Sequence, residues 1–184
     1  MTRILTLGWQ PVDADGMEDL TLTLDAQGFR AESVVMRVEE GVRFGLRYVV
    51  AGDGRWHTRR VELSLLDGDR SLVLESDGAG HWTDGDGKPL PMLNGAFDTD
   101  ITATPFTNTL AIRRLGLGIG EGADIVTAYV SVPDLTISAD PQRYTRRGPN
   151  RYRYASRNSD FTRDLDVDDD GLVLDYPGLF RRLG

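Results

Sequence analysis

The sequence contains no cysteine, and this absence removes several classes of protein from consideration. Disulfide bonds, thiolate zinc sites and cysteine nucleophiles are all excluded. The absence of disulfides suits a cytosolic protein, because thiols are kept reduced in that compartment.

Long apolar runs and a basic charge balance are also missing. No stretch approaches the ~20 apolar residues of a membrane span, and the apolar part of the first nine residues is too short and too interrupted for a signal peptide. The formal net charge of −8 argues against nucleic-acid binding, which needs a basic face to replace counterions. We therefore expect a cytoplasmic protein with no nucleic-acid partner, and the sequence sets no oligomeric state.

Residues for catalysis and metal binding are scarce. The chain has two histidines, His57 and His81, and no G-x-S-x-G nucleophile elbow. The aspartate-rich run at 166–171 matches the start of a calcium loop, but the residues after it alternate like a strand, whereas an EF-hand needs a helix there. We predict an acidic hairpin turn, no metal site and no cofactor. A hydrolase using His57 or His81 with a carboxylate stays open as an alternative.

Apolar residues alternate with period two along almost the whole chain. Short alternating runs are typical of half-buried antiparallel strands, and Asp-Gly pairs such as those at 77–78 and 170–171 mark tight turns between them. The third predicted strand presents Val34, Met36 and Val38 on its apolar face. The length of 184 residues suits one domain, residues 1–184. The predicted fold is a strongly curved antiparallel sheet or incomplete β-barrel with little helix.

Residues 102–115 form the stretch around which we expect the chain to be organised. Read as a strand, this threonine-rich run places Phe106, Asn108, Leu110, Ile112 and Arg114 on one face. That face is the more apolar and should point inward, although it carries an amide and a guanidinium.

Extending the apolar faces of the neighbouring strands adds three more polar groups to the interior. Glu18 continues the face of the second strand, and His57 and Arg59 continue that of the fifth. Two interpretations remain open for these residues together with Asn108 and Arg114. They are structural groups paired at the rim of the core, or they line a pocket with an apolar floor and a few placed polar groups.

Several motifs of the chain resemble a known family. The run at 98–115, with Thr-Pro-Phe-Thr-Asn-Thr-Leu at its centre, is similar to the signature of a bacterial family labelled "putative glycolipid-binding", formerly a domain of unknown function. Further similar segments lie at 55–59, 76–82, 132–135, 142–145 and 170–180, together with Trp9. The resemblance covers nearly the whole chain. It implies a fold similar to bacterial lipoprotein-localisation carriers, in which a curved sheet surrounds an apolar cavity.

The leading hypothesis is non-catalytic binding of an amphipathic small molecule, which the family's label implies to be a lipid or glycolipid. Its acyl carbons would lie on a floor of leucines and isoleucine: Leu20, Leu46, Leu63, Leu110 and Ile112. Its head group would meet the ligand-binding residues predicted above: Glu18, His57, Arg59, Asn108 and Arg114. Besides the hydrolase, a structural or interaction protein with a filled core is the remaining alternative.

Overall fold

Alternating apolar residues organise most of the chain into the strands of one sheet. The computed structural model of the protein describes residues 1–39 and 41–184. In chain order the elements are β1 (Arg3–Pro11), β2 (Gly16–Leu24), β3 (Gly28–Glu39), β4 (Val42–Asp53), β5 (Thr58–Leu65), β6 (Ser71–Ser76), β7 (Trp82–Asp84), a 3₁₀ helix (Pro91–Leu93), β8 (Asp98–Ile101), α1 (Phe106–Leu115), β9 (Gly122–Ser131), β10 (Thr136–Gly148), β11 (Arg151–Ser156), β12 (Thr162–Val167), β13 (Val173–Tyr176) and β14 (Phe180–Arg182).

The sheet runs in the order β7-β6-β5-β4-β3-β2-β1-β14-β13-β12-β11-β10-β9-β8. Neighbours pair antiparallel except β8 and β9, which are parallel and are connected through α1. The sheet is strongly curved and does not close, since its edge strands β7 and β8 do not pair with each other within the described residues. This confirms the predicted fold class.

The third strand shows that alternation alone can assign the wrong face. In β3 the buried residues are Phe29, Ala31, Ser33, Val35 and Arg37. The predicted inner face was wrong here, because the residues at 34 and 36 are exposed. Register explains the outcome: β3 pairs along its full length with β2 and β4, whose buried leucines decide which parity points inward.

Residues 106–115 are a helix, so the predicted strand for 102–115 was wrong. The hydroxyl of Thr104 accepts a hydrogen bond from the Phe106 amide at 3.0 Å, which satisfies an amide at the helix start. Gly116 ends the helix with φ of 55°, the left-handed conformation that glycine adopts at low cost. Arg113 and Arg114 in the last turn suit the negative end of the helix dipole.

Helix α1 occupies the concave side of the sheet. Seven consecutive residues, from Phe106 to Ile112, are buried. The residues predicted as an open acyl floor are packed side chains of the protein core, each with at most 4% of its surface exposed: Leu20, Leu46, Leu63, Leu110 and Ile112. The expectation of an open apolar floor is therefore corrected, because α1 fills that space.

No helix in the described ranges is long and apolar enough to cross a membrane.

Candidate functional site

A cavity of about 530 Å³ opens beside the start of α1. Its walls come from β3, from β8 to β11, and from the C-terminal segment that contains β13 and β14. Segments distant in sequence therefore meet around it. The volume lies in the range of pockets that hold small molecules, about 300–1,000 Å³.

One wall carries two carboxyl groups joined by an amide. Gln142 donates from Nε2 to Asp100 Oδ2 at 2.6 Å and to Asp140 Oδ2 at 2.9 Å. Thr107 donates to the other oxygen of Asp100 at 3.1 Å, and Asn158 donates to the other oxygen of Asp140 at 3.1 Å. These contacts fix both carboxyl groups in place. Since each carboxylate oxygen has more than one lone pair, both can still accept from a ligand hydroxyl.

The environment of Asp100 also changes its acidity. Burial raises the pKa of its carboxyl group, and the hydrogen bonds from Gln142 and Thr107 oppose that rise. The negative charge of Asp140 adds to the rise. A carboxyl group of this kind is an adaptable partner, because it accepts hydrogen bonds when ionised and donates one when protonated.

Another part of the cavity lining is aromatic. The ring of Tyr154 lies 5.9 Å from that of Phe161 and 6.4 Å from that of Tyr176, and Tyr176 lies 6.4 Å from Phe180 (centroid distances). Burial raises the pKa of Tyr154 and of Tyr176, so both hydroxyls stay protonated and can donate. The cavity thus combines apolar ring faces with placed polar groups.

Asn108 lines this cavity from the first turn of α1. Its Oδ1 accepts a hydrogen bond from the Tyr144 hydroxyl at 2.9 Å, and its Nδ2 donates to the Pro105 carbonyl at 3.3 Å. Both ends of the amide therefore have protein partners. These hydrogen bonds give Asn108 a structural role, and its binding of a ligand stays a prediction.

Glu18 does not line this cavity. Its Oε1 accepts hydrogen bonds from Tyr48 at 2.5 Å, Thr104 at 2.9 Å and Ser33 at 3.0 Å. Its Oε2 is buried without a hydrogen-bond partner in the described part of the chain. Burial raises the pKa of Glu18 to about 7, and the three hydrogen bonds oppose the rise. Thr104 links this group to the start of α1, close to Asn108.

Arg114 is at the other end of α1, away from the cavity. It forms a bidentate ion pair with Asp98, with Nε 2.9 Å from Oδ1 and Nη2 2.6 Å from Oδ2. The Asp98 side chain is 1% exposed. Burial raises the pKa of Asp98, and the hydrogen bond and charge of Arg114 oppose that rise. The guanidinium is thereby committed to a protein partner, as the structural interpretation expects.

His57 lies near Arg114, and Arg59 is on the surface. Both His57 and Arg114 pack against Phe97, with the His57 ring centroid 5.2 Å away and the Arg114 guanidinium carbon 5.4 Å away. Arg59 is the extra residue of a β-bulge, since Gly52 pairs with Thr58 and the next pair skips to residue 60. Because of the bulge, Arg59 no longer lies on the same face of the strand as Val61. Its side chain is 44% exposed, whereas the alternation predicts that it points inward.

The five predicted ligand-binding residues therefore fall into separate groups. Glu18 and Asn108 come together at the start of α1, His57 and Arg114 at its end, and Arg59 lies apart. The two histidines contact local aspartates, His57 with Asp53 at 3.5 Å and His81 with Asp77 at 2.7 Å. Neither histidine lines the cavity. Among the residues that the structure describes, no group of acids and histidines could hold a metal ion.

Sequence reasoning did not identify the acidic and aromatic walls. Asp100 and Gln142 belong to segments that carried the family resemblance, which was the one signal available for them. Pairing across β9, β10 and β11 brings these residues together, and that pairing is not visible in local periodicity.

Comparisons with known proteins agree with this architecture. A profile of the family described as "Putative glycolipid-binding" matches residues 6–182. The crystal structure of a DUF1089 family protein from Pseudomonas aeruginosa is similar, with a TM-score of 0.81 and 42% sequence identity over 90% of this chain and 92% of that chain. No curated protein matched the sequence.

Proposed function

The chain belongs to the family described as "Putative glycolipid-binding", and we propose that it binds the sugar head group of an amphipathic glycoside in the cavity beside α1. The binding is non-catalytic. The composition of the chain supports a cytoplasmic location for this activity.

The observation that carries the proposal is the pairing of an aromatic wall with a carboxylate wall. A sugar ring presents apolar C–H faces and a rim of hydroxyl groups. The rings of Tyr154, Phe161 and Tyr176 offer flat apolar surface for the faces. Asp100 and Asp140 offer acceptors for the hydroxyls, held at fixed positions by Gln142.

The filled interior determines which part of the ligand is recognised. Because α1 occupies the concave side of the sheet, an alkyl chain has no place among the core leucines. The cavity volume of about 530 Å³ accommodates a sugar unit or two, with the chain leaving through the mouth. Affinity then depends on the sugar more than on chain length.

The test compares two phenylalanine variants by calorimetric titration with octyl glucoside below its micelle concentration. Phe161→Ala removes a ring from the cavity and should weaken binding by up to about tenfold, because an aromatic contact contributes roughly 0.5–1.5 kcal/mol. Phe97→Ala is the matched control, since it removes a half-buried ring that packs on His57 outside this cavity. Its affinity should equal that of the unaltered protein.

Native mass spectrometry of gently purified protein, followed by lipid extraction, gives an independent readout. We expect a retained amphiphile, or saturable binding across a panel of alkyl glycosides. If no glycoside binds and no amphiphile is retained, the proposed function is refuted. Equal weakening by the two variants would show that any binding takes place outside this cavity.

A further inference from the structure

Arg37 is a buried cation whose hydrogen-bond donors are largely unused. Its side chain is 9% exposed, and it lines the cavity from β3. Both Nε and Nη1 are buried without a hydrogen-bond partner among the described residues. A buried charge without partners is costly, so an arginine retained in this state indicates a missing partner of opposite charge.

The guanidinium of Arg37 also packs against an aromatic ring of the cavity lining. The guanidinium carbon lies 5.0 Å from the centroid of the Phe180 ring. Stacking on a ring covers one face of the planar group and leaves its N–H edges free, the edges that bind carboxylate or phosphate in a bidentate manner.

Protein carboxylates do not neutralise this arginine. Within the described chain, Glu39 is the one carboxylate within 4.0 Å of it, at 3.6 Å from Nε, and its side chain is 46% exposed. The Glu39 carboxylate is largely hydrated, and at that distance it forms no hydrogen bond with Nε, so its attraction for the guanidinium is weak. Asp100 and Asp140 also line the cavity, but their hydrogen bonds are to Gln142 and its neighbours on the other wall.

We propose that Arg37 binds an anionic group, a carboxylate or phosphate carried by the sugar, so that the preferred ligand is an acidic saccharide. This inference rests on the proposed function and specifies its substrate class. The acidic wall then receives neutral hydroxyls, while the anion lies against Arg37 and Phe180. One ligand satisfies both walls, whereas a neutral sugar leaves the arginine unpaired.

The experiment titrates three probes: octyl glucoside, octyl glucuronide and inorganic phosphate. The glucuronide carries a carboxylate where the glucoside has its C6 hydroxymethyl group, so the pair compares a charged with a neutral group at one position of the sugar. Hydrogen bonds to a charged group justify a preference of about tenfold or more for the glucuronide. Arg37→Met should abolish that preference. Arg30→Met is the matched control, because it removes an arginine of the same strand that is exposed on the opposite face, and it should leave the preference intact.

Unfolding of the unliganded variants distinguishes ligand binding from a structural role. Replacing an unpaired buried cation with methionine should leave the unfolding midpoint unchanged or raise it. A large drop in the midpoint of Arg37→Met, with charge preference unchanged, would overturn the proposal in favour of a structural ion pair with Glu39.

The probes also separate failure of this inference from failure of the proposed function. Equal affinity for glucoside and glucuronide in the unaltered protein overturns the acidic-saccharide inference and leaves glycoside binding in place. If neither glycoside binds, the proposed function fails. If the unaltered protein then binds phosphate and Arg37→Met does not, the anion site at Arg37 is still supported. If the unaltered protein does not bind phosphate, the anion site is overturned as well.

Discussion

The substitution Glu18→Gln tests how strongly burial of the Glu18 carboxyl group opposes its ionisation. The three donors from Ser33, Tyr48 and Thr104 all point at Oε1, and Oε2 has no hydrogen-bond partner in the described chain. A glutamine keeps an acceptor oxygen for these donors and places a neutral NH₂ group where Oε2 lies. It therefore imitates the protonated acid while removing the ability to ionise.

The expected magnitude follows from the pKa of Glu18, which burial raises from 4.5 to about 7. Between these two values the folded protein binds a proton that the unfolded chain has released, so stability falls as pH rises. The stabilising contribution is complete below about pH 4.5 and lost above about pH 7. At 1.36 kcal/mol per pKa unit, the total change is about 3 kcal/mol.

The assay is urea unfolding followed by tryptophan fluorescence, from pH 4.5 to pH 8.5, for both proteins. Other titrating groups cancel in the difference between the two free energies of unfolding. That difference should move by about 3 kcal/mol in favour of Glu18→Gln as the pH rises from 4.5 to above 7. The value at pH 4.5 is the internal control, because both side chains are then neutral. A difference that stays flat across the whole range would refute the claim that burial dominates the chemistry of Glu18.

Two further substitutions test the ends of α1. Arg114→Met leaves the Asp98 carboxylate buried and unpaired, and should reduce the free energy of unfolding by about 3–5 kcal/mol. Adding Asp98→Leu should recover most of that loss. A cost below about 1 kcal/mol for Arg114→Met alone would show that the ion pair does not stabilise the fold. Gly116→Ala has open space around it but φ of 55°, so thermal unfolding should show a loss of about 1–2 kcal/mol. The control Gly68→Ala, also in open space and without that backbone strain, should show no loss.

The sheet was predictable because burial on one face imposes a period of two. β4 illustrates this, since Phe44, Leu46, Tyr48 and Val50 are all buried as the alternation indicates. The same rule assigned β3 wrongly, because both of its faces carry apolar residues and the pairing partners decide between them. That reversal has a functional consequence: it hid Arg37, which shares the inner face with Val35.

Helix α1 was missed for a different reason. A helix buried on all sides has no apolar stripe, so the 3.6-residue period is absent from its sequence. Its β-branched residues, Thr107, Thr109 and Ile112, favour strands in isolation. The sequence does contain signals for the ends of a helix: Thr104 and Pro105 before its start, and Arg113, Arg114 and Gly116 at its end.

The site was less accessible to sequence reasoning than the fold. Counting parity from an apolar face fails wherever a bulge intervenes, as it does at Arg59. The walls of the cavity depend on which strands become neighbours across a sheet of fourteen. Of the five predicted ligand-binding residues, Asn108 lines the cavity; whether it binds a ligand stays a prediction.

The first turn of α1 connects the core to the site. Thr104 donates to Glu18 in the core, and Thr107 donates to Asp100 in the cavity wall. Both carboxyl groups thus lie near the helix start, where the helix dipole favours negative charge. The element that fills the interior also holds Asp100 in the cavity wall, so a change that shifts α1 should shift this carboxyl group as well. The segment at 102–115 does organise the chain, because α1 fills the interior of the curved sheet and a cavity of about 530 Å³ opens beside its start.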